Sequence, residues 1–231
     1  MPAERGRAAA DGPPRAAVLL AGGTGSRLGG ADKALLRRGR STLLQDWLEA
    51  LVARQVAVVV VGPPHLRPQL DATGRSRPAA GSAPEVLLTR EDPPLSGPAA
   101  GVAAGVRALA AADLLPHEGH VLLLAVDTVD PGALLDALHG VAPGPGRGAI
   151  PVDAAGREQR LASMVDAAAL RRTVDALAPG EEVGWPLRRL LEGLAVDHPR
   201  LPAGLGRDVD TVADAAALGI ELPEAEGDPP L

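Results

Sequence analysis

The chain of 231 residues lacks cysteine, and it also lacks asparagine, phenylalanine and tyrosine. Without cysteine it can form neither a disulfide nor a thiolate metal site, and it has no thiol nucleophile. Trp47 and Trp185 are its only tryptophans. We therefore expect a core of leucine, valine and alanine, and no stacking of aromatic side chains on a nucleobase.

A basic excess is missing as well. The 23 lysine and arginine residues stand against 29 aspartate and glutamate residues, which gives a formal net charge of -6 at pH 7. General nucleic-acid and membrane-surface binders depend on surplus positive charge, so neither nucleic acid nor a membrane is expected as a partner. Residues 1–14 lack the apolar centre of a signal peptide, and no apolar run reaches transmembrane length. These features predict a cytoplasmic protein, and we expect a monomer or a weak homo-oligomer.

The length and the apolar content of 46% are enough for one substantial core. We predict a single domain over residues 15–220. Residues 1–14 are rich in Ala, Arg, Gly and Pro and are interpreted as a disordered tail. Residues 221–231 are acidic and proline-rich, and they are interpreted as a second tail.

A glycine-rich loop follows the first apolar run. Residues 16–20 have the length and composition of a buried strand, and Ala21-Gly22-Gly23 ends it. Glycines at 22, 23, 25, 29 and 30 allow successive N–H groups to approach an anion closely. Arg27 and Lys33 add positive charge. The stretch predicts a phosphate-binding loop, with a merely flexible loop as the alternative.

Lysine is nearly absent from the chain. Of the 23 basic residues, 22 are arginine, and the one lysine is Lys33. A compact ammonium can follow phosphate oxygens, whereas a guanidinium is a broad planar fork. The position of Lys33 therefore indicates a phosphate ligand.

Spacing excludes two common phosphate motifs. A P-loop needs Ser or Thr after its lysine, but Ala34 follows Lys33. The dinucleotide fingerprint would need glycine at 28 if it began at Gly23, and the chain has Leu28. The pattern L-A-G-G-x-x-x-R-L-G-G-x-x-K that remains resembles the opening signature of the MobA-like nucleotidyltransferases, the family of molybdenum cofactor guanylyltransferase.

Apolar runs and amphipathic segments alternate along the rest of the chain. Strands are predicted at 16–20, 55–61, 85–89, 120–126 and 149–152, and helices at 43–51, 99–112, 131–138, 166–177, 185–194 and 211–218. The alternation predicts an α/β domain. The family resemblance implies a three-layer, Rossmann-like nucleotidyltransferase fold, with a mostly parallel sheet of about seven strands flanked by helices.

Asp127 follows the apolar run 120–126 directly. Ligands collect at the carboxyl ends of strands in open parallel sheets, and a carboxylate suits Mg²⁺ that bridges phosphates. Residues 127–130 resemble the family's D-x-P magnesium motif, with Val129 in place of proline. Asp130 precedes Pro131 and is predicted to be a helix N-cap.

Two further stretches resemble the family. Asp92 precedes a G-P-x-x-G turn that begins at Gly97, and the resemblance places this turn near the base and ribose. Glycines at 97, 101 and 105 also fit ordinary packing of a helix on the sheet. In the D-x-D-T stretch Asp208 to Thr211, we favour Asp210 over Asp208 as a second Mg²⁺ ligand. The alternative is a capping box formed by Thr211 and Asp214.

The arginines further along the chain carry weaker signals. Arg157 and Arg160 could meet an acceptor phosphate, although a solvated charge pair is the favoured interpretation. No chemistry is assigned to Arg171, Arg172, Arg188 and Arg189.

The resemblance implies a Mg²⁺-dependent enzyme that transfers a nucleoside monophosphate from an NTP, with GTP favoured, to a phosphate acceptor such as molybdopterin. Pyrophosphate would leave. The alternatives are cytidylyl transfer within the family and a nucleotide-binding regulator without turnover. The catalytic candidates are Lys33, Arg27 and Asp127, and the metal candidates are Asp127 and Asp210. The nucleotide-binding candidates are Leu20, Ala21, Gly22, Gly23, Gly25, Lys33, Asp92, Gly97 and Asp127.

Overall fold

The computed structural model describes residues 14–23, 28, 30–72, 84–202 and 204–222. Residues 1–13 of the predicted tail 1–14 and residues 223–231 of the predicted tail 221–231 lie outside this range, as do Gly25, Arg27 and Gly29 of the glycine-rich loop.

Nine strands and seven α-helices are formed by the described residues. The strands are β1 (Ala16–Leu20), β2 (Arg37–Arg38), β3 (Ser41–Thr42), β4 (Ala57–Val61), β5 (Val86–Thr89), β6 (His120–Ala125), β7 (Gly148–Ala149), β8 (Ala162–Asp166) and β9 (Val196–Asp197). The helices are α1 (Leu43–Ala53), α2 (Arg67–Asp71), α3 (Pro98–Ala111), α4 (Pro131–Gly140), α5 (Ala167–Asp175), α6 (Leu187–Leu190) and α7 (Val212–Ala217).

Seven strands form one sheet in the order β5-β4-β1-β6-β8-β7-β9. The neighbours β5, β4, β1 and β6 run parallel, and Val18 of β1 lies in register with Val59 of β4 and Leu123 of β6. Only β8 runs antiparallel to its neighbours in this sheet. The prediction of a mostly parallel sheet of about seven strands is confirmed. Strands β2 and β3 form a separate small hairpin.

Alternation along the strands produces the three layers. Because successive side chains of a strand point to opposite faces, Ala17 and Leu19 join one apolar core while Ala16 and Val18 join the other. The first core contains the buried faces of α1 and α4, and the second contains those of α3, α5 and α6. Both faces of β1 and β4 are buried, which explains their unbroken apolar sequences.

Helix α1 is capped by Thr42. Thr42 accepts the Gln45 N–H while the Gln45 side chain accepts the Thr42 N–H, which forms a capping box. Trp47 of this helix is fully buried, and its indole Nε1 donates to the Thr128 carbonyl at 3.0 Å. The helix is thereby joined to the loop after β6.

Small residues let α3 lie close to the sheet. A Cβ added at Gly105 would sit 2.6 Å from Val18 Cγ1, and one at Gly101 would sit 3.1 Å from Leu20 Cδ2. Real Cβ atoms do not approach other atoms as closely as 2.6 Å. The packing interpretation of Gly101 and Gly105 is therefore confirmed.

Several local predictions were wrong. The helix predicted over 185–194 is only the single turn α6, since Pro186 precedes it and Gly193 turns the chain with φ 83°. The strand predicted over 149–152 ends at Ala149, before Pro151, which has no N–H for a ladder. Strand β4 begins at Ala57 rather than 55 because Gln55 turns with φ 59°.

Asp130 was also predicted incorrectly. It occupies the position before α4, but its backbone is left-handed with φ 59°, and its side chain accepts no N–H of that helix. The carboxylate instead accepts from Arg38 Nη1 at 2.7 Å. Asp130 is thus tied to the small hairpin and not to the helix that follows it.

No helix among the described residues is both long and apolar enough to cross a membrane.

Candidate functional site

A cavity of about 440 Å³ opens at the carboxyl ends of β1, β4 and β6. This is the edge of a parallel sheet at which ligands bind in α/β folds. Its polar walls are formed by Asp32, Lys33, Glu91, Asp127, Thr128, Gln159 and Asp208. Its other walls include Leu20, Ala21, Gly22, Gly23, Gly97 and Gly101. The cavity thus collects residues that were predicted from four separate stretches of the chain.

The end of β1 forms the floor of this cavity. The Ala21 N–H donates to the Val61 carbonyl at 2.8 Å, and the Leu20 carbonyl accepts from the Val126 N–H at 2.9 Å. These bonds extend the sheet by one residue past β1 and hold Gly22 and Gly23 at the mouth. A Cβ on Gly23 would meet no atom of the described residues within 4 Å.

Lys33 lies at the start of a 3-10 turn, Lys33–Leu35, and reaches across the site. Its Nζ donates to Asp127 Oδ2 and to Asp210 Oδ1, each at 2.7 Å. Burial would lower the pKa of Lys33, but the charges and hydrogen bonds of Asp127 and Asp210 outweigh burial and raise it. The ammonium therefore stays charged, and it joins two of the predicted site carboxylates.

Asp32 positions this turn. Its Oδ1 accepts the Ala34 N–H at 2.9 Å, and its Oδ2 lies 2.6 Å from His65 Nε2. One carboxylate thus caps the turn that presents Lys33 and also connects it to the segment after β4. No local sequence pattern marks Asp32 or His65, because their contact joins segments that only the fold brings together.

The segments after β6 and before α7 are paired through their backbones. The Val129 N–H donates to the Arg207 carbonyl, and the Val209 N–H donates to the Asp127 carbonyl, each at 3.1 Å. Thr128 Oγ1 also donates to Asp208 Oδ1 at 2.9 Å. This pairing places the D-x-D-T stretch beside Asp127.

Asp208 is the most perturbed carboxyl group of the site. Its pKa is raised to about 6 by loss of surrounding water at the cavity wall and by the negative charge of Asp127. The hydrogen bond from Thr128 and the charge of Lys33 act in the opposite direction. The site therefore holds more negative charge than Lys33 alone compensates.

Asp210 differs from Asp208 in its position. Both residues are exposed, but Asp208 lines the cavity, whereas Asp210, with a side chain that is 52% exposed, faces Lys33 from the rim. The Thr211 and Asp214 capping box also forms, so the structural interpretation of Thr211 is confirmed.

The loop before α3 forms another wall. Glu91, Leu95, Gly97 and Pro98 line the cavity, whereas Asp92 is exposed and is not among the lining residues. The Leu95 N–H donates to Glu91 Oε1 at 2.9 Å, which closes the loop on itself. Gly97 turns into α3 with φ 92°, a conformation that favours glycine. The acidic side chain nearest the cavity is thus one residue earlier than the resemblance suggested.

The arginines of the hairpin-like segment are engaged in local ion pairs. Arg157 Nε lies 3.0 Å from Asp153 Oδ2, and its side chain is 80% exposed. Arg160 pairs with Glu158. These contacts fit the solvated charge pair that the sequence favoured. Gln159, which the sequence analysis left without a role, lies between them and lines the cavity.

The carboxylate oxygens at the cavity are ligands of the type that binds a divalent cation. Among the described residues, no group of three or more His, Cys, Asp or Glu side chains is arranged to hold a metal by itself. Mg²⁺, however, is usually held by one or two carboxylates together with phosphates and waters. Asp127 and the D-x-D-T carboxylates supply the hard oxygen ligands of that kind of site, and their excess negative charge fits a cation.

The chain is similar to known proteins over most of its length. The family model described as MobA-like NTP transferase domain matches residues 17–199. Comparison with curated proteins gives no match.

Solved structures with this fold come from several sources. A homologue of the Mycobacterium tuberculosis protein Rv0371c, from Mycobacterium sp. strain JC1, has a TM-score of 0.58 and 20% identity over 88% of this chain and 93% of that chain. Molybdopterin-guanine dinucleotide biosynthesis protein A from Archaeoglobus fulgidus has a TM-score of 0.57 and 18% identity over 88% and 96%. The inositol-1-phosphate CTP transferase from T. maritima has a TM-score of 0.60 and 15% identity over 88% and 92%. At these identities the likeness concerns the fold.

Proposed function

This chain belongs to the MobA-like NTP transferase family, and we propose that it transfers GMP from GTP to a phosphate group of a molybdopterin acceptor, with release of pyrophosphate. One observation carries the proposal: Lys33 and Asp127 lie in the wall of a glycine-lined cavity at the carboxyl ends of parallel strands, and Lys33 Nζ joins Asp127 to Asp210 at the rim. A charged ammonium, backbone N–H groups and carboxylates in one cavity suit a triphosphate with its counter-cation.

The choice of GTP rests on the resemblance of the opening signature. The similar solved structures include both a molybdopterin-guanine dinucleotide biosynthesis protein and an inositol-1-phosphate CTP transferase. Cytidylyl transfer therefore remains the competing nucleotide preference, and the assay below separates the two.

The proposed reaction needs no general base. An oxygen of the acceptor phosphate, already an anion, attacks the α-phosphorus, a new P–O bond forms, and the bond to the β-phosphate oxygen breaks as pyrophosphate leaves. The protein contributes position and compensation of charge. N–H groups at Gly22 and Gly23 and the predicted Arg27 would hold the triphosphate. Lys33 would move from its carboxylate partners to the phosphate oxygens that gain charge.

The carboxylates fit a Mg²⁺ ion, with Asp127 as the principal ligand and Asp210 as the second. Such an ion would neutralise phosphate charge. Asp208 is the alternative to Asp210, since it lines the cavity and Asp210 lies at its rim.

The test is a pyrophosphate-release assay with each of the four nucleoside triphosphates and Mg²⁺, with and without molybdopterin. We expect release with GTP that depends on the acceptor. Faster release with CTP would assign the enzyme to cytidylyl transfer. Saturable GTP binding without release under either condition would support the regulatory alternative and contradict the proposal.

A further inference from the structure

The cavity of about 440 Å³, in which we propose that the nucleotide binds, is called the nucleotide cavity below. A second, smaller cavity of about 230 Å³ adjoins it. The two share Pro98 and Leu161 as walls, so they are neighbouring compartments of one surface. The smaller cavity, which we name the arginine groove, is lined by Pro98, Arg160, Leu161, Pro186, Leu187 and Arg188. Two of these six residues are arginines, in a protein whose net charge is -6.

The two arginines differ in their partners. Arg160 pairs with Glu158, so its charge is compensated within the protein. Arg188 is exposed, and no carboxylate of the described residues lies within ion-pair distance of it. The arginine groove therefore carries an uncompensated guanidinium, a group that binds phosphate and carboxylate in a bidentate manner.

The wall that carries Arg188 is fixed to the rest of the protein. Glu182, only 4% exposed, accepts from Arg107 Nη1 of α3 at 2.5 Å. The Gly184 N–H donates to the Ser96 carbonyl at 2.8 Å, which ties this segment to the loop of the nucleotide cavity. Leu187, next to Arg188, is buried in the apolar core beneath α3. These contacts fix the position of the segment from which Arg188 projects.

We propose that the arginine groove binds the phosphate group of the acceptor substrate through Arg188. The proposal rests on the proposed function, since it names the compartment in which the acceptor of that reaction lies. It also assigns a role to a residue outside the glycine-rich loop and the carboxylate cluster. The acceptor phosphate would be held by Arg188 beside the shared walls Pro98 and Leu161, so that it faces the neighbouring nucleotide cavity.

The first experiment compares Arg188→Gln with Arg172→Gln in the pyrophosphate-release assay with GTP, Mg²⁺ and molybdopterin. Arg172 is an exposed arginine of α5 outside both cavities, so its variant makes the same change in charge elsewhere. We expect Arg188→Gln to raise the KM for molybdopterin about tenfold while the KM for GTP stays within twofold. Arg188→Lys should recover part of this loss. An unchanged acceptor KM, or an equal rise in both KM values, would overturn the proposal.

The second experiment does not need turnover. The enzyme is saturated with GTP and Mg²⁺ in the absence of acceptor, and inorganic phosphate is titrated while tryptophan fluorescence is followed. Trp185 adjoins Pro186 in the groove wall, whereas Trp47 is fully buried. We expect a saturable change in the parent and in Arg172→Gln, with a midpoint at least fivefold higher in Arg188→Gln.

The two experiments separate the two proposals. A parent enzyme that releases no pyrophosphate contradicts the proposed function, and the arginine groove is then judged by the phosphate titration alone. Equal titration midpoints in the three proteins, or no saturable fluorescence change in the parent, would contradict the proposed binding role of the arginine groove.

Discussion

Lys33 Nζ and Asp127 Oδ2 lie 2.7 Å apart although 94 positions separate the two residues in the chain. The contact joins the loop after β1 to the loop after β6, two parallel neighbours whose carboxyl ends share one edge of the sheet. Both side chains are mostly buried, with 22% and 21% exposure. The pair is therefore shielded from bulk water, which strengthens its interaction with a charged ligand.

Lys33→Arg tests whether the site needs an ammonium. Charge is preserved, but the planar guanidinium cannot donate to Asp127 and Asp210 from the same point, and a displacement of about 1 Å can cost on the order of a hundredfold in rate. We expect normal folding, nucleotide affinity within several-fold of the parent and loss of most turnover. Steady-state kinetics and GTP titration measure this. Parent rates in the variant would remove Lys33 from the mechanism.

Asp127→Asn tests the metal carboxylate. The change keeps shape and one oxygen but removes the charge that attracts Mg²⁺, so turnover should fall by at least about two orders of magnitude. Stability should change by less than about 1 kcal/mol, because asparagine keeps an oxygen that can accept from Lys33 Nζ and Asp210 still pairs with the ammonium. Rates measured over a Mg²⁺ series and a thermal melt check both statements. Near-normal activity at limiting Mg²⁺ would transfer the ligand role to Asp208 or Asp210.

The raised pKa of Asp208 predicts that the stability of the metal-free protein depends on pH. Its pKa is raised to about 6 in the folded protein, above the value of about 4 for an unfolded aspartate. The folded state therefore keeps a proton that the unfolded state has released, and stability falls as pH rises from about 4 to about 6. Because the residue is substantially solvent-exposed, screening limits the loss to about 1 kcal/mol.

Asp208→Asn should remove this fall and make the protein about 1 kcal/mol more stable at pH 7 with EDTA present. Urea unfolding at pH 4.5 and pH 7 measures the difference. Asp92→Asn is the matched control, because Asp92 is exposed and its change should leave the pH dependence intact. Parallel pH curves for the parent and Asp208→Asn would contradict the assignment.

Gly105→Ala tests the close packing of α3. Alanine favours a helix over glycine by about 1 kcal/mol, but its Cβ would sit 2.6 Å from Val18 Cγ1. Overpacking of this kind costs about 1–3 kcal/mol, so we expect net destabilisation. Gly140→Ala in α4 is the control, since a Cβ there meets nothing within 4 Å. Denaturant midpoints of the two variants should move in opposite directions.

Local patterns were sufficient for the parts of the site that one segment forms. The run of residues 16–20 and its glycines gave β1 and the cavity floor, because a buried parallel strand and a phosphate-binding turn each have a distinct composition. Asp127 followed from the rule that ligands meet the carboxyl ends of parallel strands.

Other features depended on contacts between distant segments. The approach of Asp208 to Thr128 depends on backbone pairing across 80 positions, and the contact of Asp32 with His65 depends on β4 lying beside β1. Glu91 lines the cavity wall, whereas the family resemblance pointed to Asp92. Composition does not determine which of two adjacent residues in a turn faces a cavity. Arg27 and Gly25 remain predictions, since they lie outside the described residues.

The close approach of α3 to β1 at Gly105 and Val18 also affects ligand binding. Because α3 lies so close to β1 that no Cβ fits between them at Gly105, the height of the helix above the sheet is fixed, and with it the height of the turn at Gly97. That wall of the cavity is thus preorganised, and the entropy lost in ordering it is spent during folding rather than at association. We expect a ligand to meet this wall in its final shape, so that any adjustment on binding falls to the opposite wall, where Lys33 must exchange its carboxylate partners for phosphate.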